Sequence, residues 1–391
     1  MKDFVFKMPT RVLFGAGKAK EIGALLAERG YAKAFLLTDE NVGKLPMFAA
    51  LEEDIRAAGI GCVACDKAEI DPSIESVDAL APVVRESGAD VLIALGGGSP
   101  IDFAKAICML QTHEGSVRDY LFGGSKAVTG PGMPLIAIPT TAGTGSEVSA
   151  ASVITDNERG LKLSVTSDYL IPSLAVIDPA LHVGMPAFVT ATTGLDALTH
   201  AIESYVSLNA EPISDALGLA AIRMIGENLR LAVADGGNME ARTNMAAASL
   251  MAGAAFVNGG LGVVHGIAQS MGALHHVAHG VANGLILPYA MERNFVGNLK
   301  KFSDIAAALG EDVTGMTLRE AAAMAAEAVF DLVQDIGVPS TLPEVGIGKA
   351  DFPPIIEGTM AYRLLAINPC KLTAKDVERI LDRAFEGRYR V

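Results

Sequence analysis

Along the first 180 residues, short apolar runs alternate with longer segments whose apolar positions recur every three or four residues. The short runs are Arg11–Phe14, Ala34–Thr38, Gly61–Cys65, Asp90–Leu95, Leu135–Ile138, Val153–Thr155 and Leu174–Ile177. Helix-patterned segments lie between several of them, at Lys18–Arg29, Met47–Ala58 and Ile74–Glu86. The short runs are nearly continuous in apolar character, as strands buried on both faces are. Strand–helix alternation of this kind predicts an α/β domain with a parallel sheet covered by helices. Such sheets bind ligands at the carboxyl ends of their strands.

From about Met185 the pattern changes. Long Ala-, Leu- and Met-rich stretches, such as Ala197–Val206, Ile213–Leu229, Met245–Phe256 and Leu318–Ile336, follow with almost no β-rich runs. They predict an all-α second domain, and Pro179 and Pro186 bracket the boundary. The expected division is therefore 1–183 (α/β) and 184–391 (helical).

Length and composition agree with two or so domains: 391 residues, half of them hydrophobic and 19% charged, give a sizeable core and exclude intrinsic disorder. Lys and Arg number 31 against 45 Asp and Glu, a net charge of −14, which argues against nucleic acid or an anionic membrane as partner. No apolar run approaches the roughly 18 residues of a membrane span. Met1-Lys2-Asp3-Phe4 lacks the core of a signal peptide. The expected location is the cytoplasm. Cys62 and Cys65 form a C-x-x-C inside an apparent strand, where positions three apart face opposite ways, so they read as small buried residues rather than a redox or metal pair.

Candidate chemistry begins where the strand Asp90–Leu95 runs into Gly96-Gly97-Gly98-Ser99-Pro100 and an apparent helix over Ile101–Leu110. Glycines let a backbone approach a ligand closely, and free amides at a helix start favour an anion. The turn reads as a diphosphate cradle or, equally, as a tight strand–helix connection. A second loop rich in hydroxyls and small residues, Pro139-Thr140-Thr141-Ala142-Gly143-Thr144-Gly145-Ser146, follows Leu135–Ile138. Two such loops at strand ends suggest a phosphate-bearing cofactor. Asp39, ending another strand, can accept from a ribose 2′-hydroxyl and repel a 2′-phosphate, or it can simply cap a helix.

Of seven histidines, four lie between His265 and His279. Upstream, Asp196 and His200 share one helical face at i, i+4. On one straight helix His265 and His279 would be about 21 Å apart. They converge only if the helix breaks between them, and Gly272 with His275-His276 offers a break. Three imidazoles and one carboxylate suit a divalent transition metal with room for a substrate oxygen. The alternative is a set of ordinary core histidines.

Taken together, these motifs resemble the iron-dependent (group III) alcohol dehydrogenases. The matching segments are Gly96-Gly97-Gly98-Ser99 with Asp102, Pro139–Val148, Gly194–Glu203, Gly262-Val263-Val264-His265-Gly266, and His279-Gly280-Val281-Ala282-Asn283, in order across nearly the whole chain. The resemblance implies a dinucleotide-binding N-terminal domain, a helical C-terminal domain and an active site in the cleft between them. It implies Fe2+, with Zn2+ as a possible substitute, on Asp196, His200, His265 and His279. It places NAD(H) on Gly97, Gly98, Ser99 and Asp102, with Thr140, Thr141 and Thr144 along the nucleotide. Lys162 would reach the nicotinamide ribose. Phe256 would sit beside the nicotinamide and substrate, and His276 is a candidate proton relay beside His275.

The chain departs from the family pattern at Gln269, where many members carry a second histidine, and at Ala150-Ala151, Asp71-Pro72 and Pro369-Cys370. These positions bear on the proton path and substrate rather than on the four ligands. The expected activity is NAD(H)-dependent interconversion of small primary alcohols or diols and their aldehydes by a homodimer or larger homo-oligomer. One rival is a dehydroquinate-synthase-like lyase, which needs a basic pocket, yet no Lys or Arg lies between Gly253 and Glu292. A second rival is a non-catalytic metal-binding relative.

Overall fold

The computed structural model describes residues 3–387. Met1 and Lys2, part of the reading that no leader is present, and residues 388–391, the end of the second expected domain, lie outside the described residues. The chain separates by its contacts into two compact units. One is a sheet unit, residues 8–141 and 145–183. The other is a helical unit formed from Gly184 onward, joined by an N-terminal stretch ending at Lys7 and by Ala142–Thr144.

The sheet unit contains β1 (Arg11–Phe14), β2 (Lys33–Asp39), β3 (Gly61–Ala68), β4 (Val91–Gly96), β5 (Leu135–Pro139), β6 (Ala151–Asp156), β7 (Leu161–Thr166) and β8 (Leu174–Ile177). Six of these form one parallel sheet in the order β1-β8-β5-β4-β2-β3. Its helices are α1 (Ile22–Glu28), α2 (Glu40–Gly43), α3 (Pro46–Ala57), α4 (Ile74–Ser87) and α5 (Gly98–Leu110). Successive strand residues point to opposite faces. Accordingly Leu36, Ile93 and Val176 pack with Leu26 of α1 and Ile55 of α3. Phe35, Leu92 and Ala137 pack with Val77 and Val84 of α4 and Ile107 of α5. Both faces are covered, which explains the unbroken apolar runs of these strands.

One expected strand, Val153–Thr155, does not join this sheet. It is the middle of β6, which pairs antiparallel with β7 in a separate two-stranded ribbon. The pattern of β6 and β7 follows half-burial: Ile154 and Val165 are buried while Val153 and Leu161 are exposed. That alternation is the mark of an antiparallel ribbon, and β7 was not among the strands the apolar runs predict.

The strand order reverses at one place. The chain steps from β2 outward to β3, then returns to the other side of β2 as β4. Ligands of open α/β sheets bind in the crevice at such a reversal, outside the carboxyl ends of the strands. Here those ends are Asp39 of β2, Gly96 of β4 and, on the next strand, Pro139 of β5, which stands opposite Gly96.

The helical unit comprises α6 (Ala187–Val206), α7 (Pro212–Ala234), α8 (Met239–Gly259), α9 (Val263–His275), α10 (His279–Asn294), α11 (Leu299–Ala308), α12 (Leu318–Asp335), α13 (Phe352–Ala361) and α14 (Ala374–Glu386). Helix α6 is buried along nearly its whole length from Thr190 to Val206, the polar Asp196, His200 and Glu203 included. Its Leu195 and Leu198 pack among Ile222, Ile225, Leu285 and Ile286. Glycine on α10 permits the approach of that helix: a Cβ at Gly280 would lie 2.3 Å from the Thr192 carbonyl oxygen. No single helix among the described residues is long and apolar enough to cross a membrane, and only the pair α8 and α9, bent by 103°, passes such a test together.

Candidate active site

The helical unit brings Asp196, His200, His265 and His279 into one cluster, with a ligand-capable atom of each within 4.8 Å of the others. Asp196 and His200 come from consecutive turns of α6. His265 lies in the first turn of α9, and His279 opens α10. The break that lets the last two converge falls at His276, not at Gly272. His276 takes the left-handed conformation (φ 55°) that ends α9, its amide donating to the Gly272 carbonyl. Gly272 stays inside the helix.

One oxygen of Asp196, Oδ1, stands 3.8, 4.0 and 3.6 Å from the Nε2 atoms of His200, His265 and His279. These separations exceed a hydrogen bond. They are near the roughly 3.4 Å edge of a tetrahedron whose centre-to-corner bonds are about 2.1 Å long, as in metal sites. The donor set of three imidazole nitrogens and a carboxylate therefore fits a divalent ion. Asp196, His200 and His265 are buried. His200 Nδ1 faces the Gly143 carbonyl oxygen at 3.2 Å, which leaves Nε2 toward the cluster. Burial pushes the His200 ring down to about 4, so it is neutral, and able to ligate, at neutral pH. Burial alone would raise the Asp196 carboxyl, but the rings of His200, His279 and His265 and the Asn283 amide outweigh it and hold it below its ordinary range.

Phe256 stacks on the His200 ring, centroids 4.5 Å apart, and His265 stacks on the same ring at 4.8 Å. His276 is exposed and stands outside the four-residue cluster. Two further residues belong to the cluster's surroundings. Asn283, one turn after His279, donates from Nδ2 to Asp196 Oδ1 at 2.7 Å, while its buried Oδ1 finds no partner. Glu203 accepts from the Val264 amide at 2.7 Å and sits 2.6 Å from His265 Nδ1. Sequence reasoning assigned neither a role. The signal for Glu203 is present: it follows His200 by three residues, a helical spacing that keeps it on the side shared by Asp196 and His200.

In the sheet unit, Asp39, Gly97, Gly98, Ser99, Thr140 and Thr141 gather at the carboxyl ends of β2, β4 and β5. Gly97 caps α5, and a Cβ there would meet Thr141 at 3.4 Å. Of the two readings of Asp39, the helix cap is seen directly. Its Oδ1 caps α2, accepting from the amides of Asn41 and Val42 at 2.9 and 3.1 Å. Its Oδ2 faces the glycine turn, 3.6 Å from where a Cβ on Gly96 would be. Asp102 is spent within the unit: Oδ1 accepts from Ser146 Oγ and Oδ2 from the Val153 amide. Lys105, fully buried one turn later, donates to Ser146, Ser149 and the Ala151 carbonyl, and burial lowers its ammonium below the ordinary lysine range. Lys162 pairs with Asp71 at 2.6 Å. Thr144 groups with the helical unit rather than with the sheet. Cys62 is buried and Cys65 half-buried, both free, and they join no ligand cluster among the described residues.

Comparison with known proteins decides the family. Residues 9–179 match the model of iron-containing alcohol dehydrogenases, and residues 190–385 match that of the C-terminal part of the Fe-containing alcohol dehydrogenase family. The chain belongs to the iron-containing alcohol dehydrogenase family. It is 40% identical over 385 residues to a 1,3-propanediol dehydrogenase of Klebsiella pneumoniae, covering 98% of this chain and 99% of that protein. It is 37% identical over 379 residues to an NAD-dependent methanol dehydrogenase of Bacillus methanolicus, covering 97% and 99%. A crystal structure of a 1,3-propanediol oxidoreductase superposes with a TM-score of 0.95 at 39% identity, covering 98% of this chain and 100% of the other. Family membership makes the chain an alcohol oxidoreductase with the expected architecture of a parallel-sheet N-terminal part and a helical C-terminal part. The lyase and non-catalytic readings gain no support.

Proposed function

We propose that this chain is an NAD(H)- and iron-dependent dehydrogenase that interconverts small primary alcohols or diols with their aldehydes. The observation that carries the reading is the convergence of three imidazole Nε2 atoms on Asp196 Oδ1. When bound there, Fe2+ supplies Lewis acidity toward the substrate oxygen, and NAD(H) supplies the hydride acceptor or donor. Asp196, His200, His265 and His279 would hold the ion. Phe256, flat against His200, would wall the site and exclude water. The division proposed is dinucleotide binding by 1–183 and metal binding by 184–391.

Gly97, Gly98 and Ser99, at the start of α5, would cradle the diphosphate on backbone amides. Thr140, Thr141 and Thr144 would line the nucleotide. Asp39 would use Oδ2 for the adenosine ribose while Oδ1 keeps its cap. Lys162 would reach the nicotinamide ribose from its pair with Asp71. Gln269 can orient a water or a ribose hydroxyl but cannot titrate. The substrate proton would therefore travel through ribose hydroxyls and water, or through His275 or His276. The proposed setting is the cytoplasm, consistent with the acidic charge. The proposed assembly is a homodimer or larger, in which a second copy would cover exposed apolar residues such as Val5.

The test is a panel of short alcohols, diols and aldehydes assayed with NAD+ or NADH on protein reconstituted anaerobically with ferrous salt. Turnover of diols and short primary alcohols that is lost in His265→Ala, with loss of bound metal, is expected. Full metal occupancy in His265→Ala would remove that residue from the ligand set. Inactivity on the whole panel with metal bound would overturn the substrate class.

A further inference from the structure

A histidine can offer the same nitrogen to a metal only while its proton stays on the other one, and the choice is made by whatever faces the far side of the ring. For His265 that neighbour is Glu203. The two side chains are buried, at 2% and 5% exposure. Glu203 Oε2 lies 2.6 Å from His265 Nδ1, and Oε1 accepts from the Val264 amide at 2.7 Å. An amide N–H can only donate and a carboxylate can only accept. The carboxylate is therefore held between two donors, one of them main chain, and Nδ1 is the ring nitrogen that carries the proton.

The near side of the ring agrees independently. Asn283 Nδ2 lies 2.7 Å from Asp196 Oδ1, a contact that requires an N–H on the asparagine. The same Nδ2 stands 3.3 Å from His265 Nε2, so Nε2 presents a lone pair. The main chain fixes the arrangement, because at Gly262 a Cβ would lie 3.0 Å from Glu203 Oε1.

We propose that Glu203 is a positioning residue that locks His265 in the Nδ1–H tautomer and so keeps the Nε2 lone pair aimed at the metal position. The proposal rests on the reading of Asp196, His200, His265 and His279 as ligands.

Glu203→Gln tests it with almost no change of shape. The Val264 amide still needs an acceptor, so the glutamine carbonyl takes the place of Oε1. Its NH2 then faces His265 Nδ1, which must accept, and the ring proton moves to Nε2. Fe2+ or Co2+ affinity, measured by anaerobic titration of the apoprotein, should fall roughly 10- to 100-fold. The melting temperature of the apoprotein should fall only slightly, since both hydrogen bonds of residue 203 are kept and only the 3.3 Å contact of Asn283 Nδ2 with His265 Nε2 is lost. In protein with 15N-labelled histidine, the His265 ring should give Nδ1–H signals in the parent and Nε2–H signals in Glu203→Gln.

His265→Ala separates the two levels of the argument. If it binds metal as tightly as the parent, the ligand reading fails and the proposal with it. If it loses metal while Glu203→Gln keeps parental affinity, Glu203 alone is overturned. Should Glu203→Gln not fold, the parent's own 15N spectrum decides, and an Nε2–H signal for His265 refutes the lock.

Discussion

One oxygen of Asp39 caps α2 and the other is proposed to meet the adenosine ribose, and substitutions can take the two roles apart. Asparagine caps a helix about as well as aspartate, and glycine costs only a few tenths of a kcal/mol there. Asp39→Asn and Asp39→Gly should therefore barely move the melting temperature. Both should narrow the ratio of kcat/KM for NADH over NADPH, because the charge that repels a 2′-phosphate is gone. An unchanged ratio would place Asp39 away from the ribose. A second prediction concerns Gln269, one turn after His265 on α9. Gln269→His should add an ionisation near pH 6.5 to the kcat profile for alcohol oxidation, the ordinary range of histidine. A profile identical to the parent's, together with unaltered profiles in His275→Ala and His276→Ala, would leave proton transfer to solvent and ribose. At this scale the four candidate ligands are legible because Asp and His carry a chemical identity in any sequence. Glu203 and Asn283 were not singled out because their meaning comes from what faces them across the fold.

Among elements, the closeness of α10 to α6 is what delivers His279 to Asp196. The approach leaves no room beyond a hydrogen at Gly280, whose added Cβ would press on the Thr192 carbonyl. Gly280→Ala should cost about 1–3 kcal/mol by forcing the helices apart, and metal affinity should fall with it because His279 is the adjacent residue. Thermal melting with and without metal checks both. A drop in stability that spares metal affinity would show that α10 shifts as a rigid body without disturbing His279. The elements were largely readable in the sequence. Strands such as β4 and β5 announce themselves by apolar continuity, and the glycine turn after β4 marks its end. The β6–β7 ribbon did not, because its strands bury only alternate residues. The helix break was foreseen between His265 and His279, but a glycine inside a well-packed helix is a poor guide. Of the two positions the sequence offers, the backbone turns within the His275-His276 pair, at His276, and not at Gly272.

On the scale of the whole molecule, proton and metal compete for the buried cluster. The His200 ring is depressed to about 4 from an unfolded value near 6.5. Between those values the unfolded chain binds the extra proton and the folded one does not. Apoprotein stability should thus be fully present above pH 6.5, decline as the pH falls, and level off below 4. The loss from this group is on the order of 3 kcal/mol. Urea unfolding of the apoprotein across that range measures it, and a flat dependence would refute the burial argument. Bound metal should oppose the loss. At a free ion concentration 100 times its dissociation constant the gain is about 2.7 kcal/mol, so chelation should lower the melting temperature measurably at neutral pH and much less at pH 4.

The order of the parallel sheet has a consequence for how the chain is made. Strand β1, Arg11–Phe14, is at the sheet edge, and its neighbour is β8, Leu174–Ile177. A ribosome adding about 5–20 residues per second needs on the order of 10–30 s to pass from one to the other. Throughout that interval the first strand to emerge has no place to dock. Strands β2 to β5, which form the other side of the sheet in the order β5-β4-β2-β3, can assemble without waiting, so the sheet is closed last at the edge held by its oldest piece. A nascent chain released before Leu174 would thus carry a native-like four-stranded half-sheet with a loose amino-terminal arm, a form open to proteases and chaperones until β8 arrives.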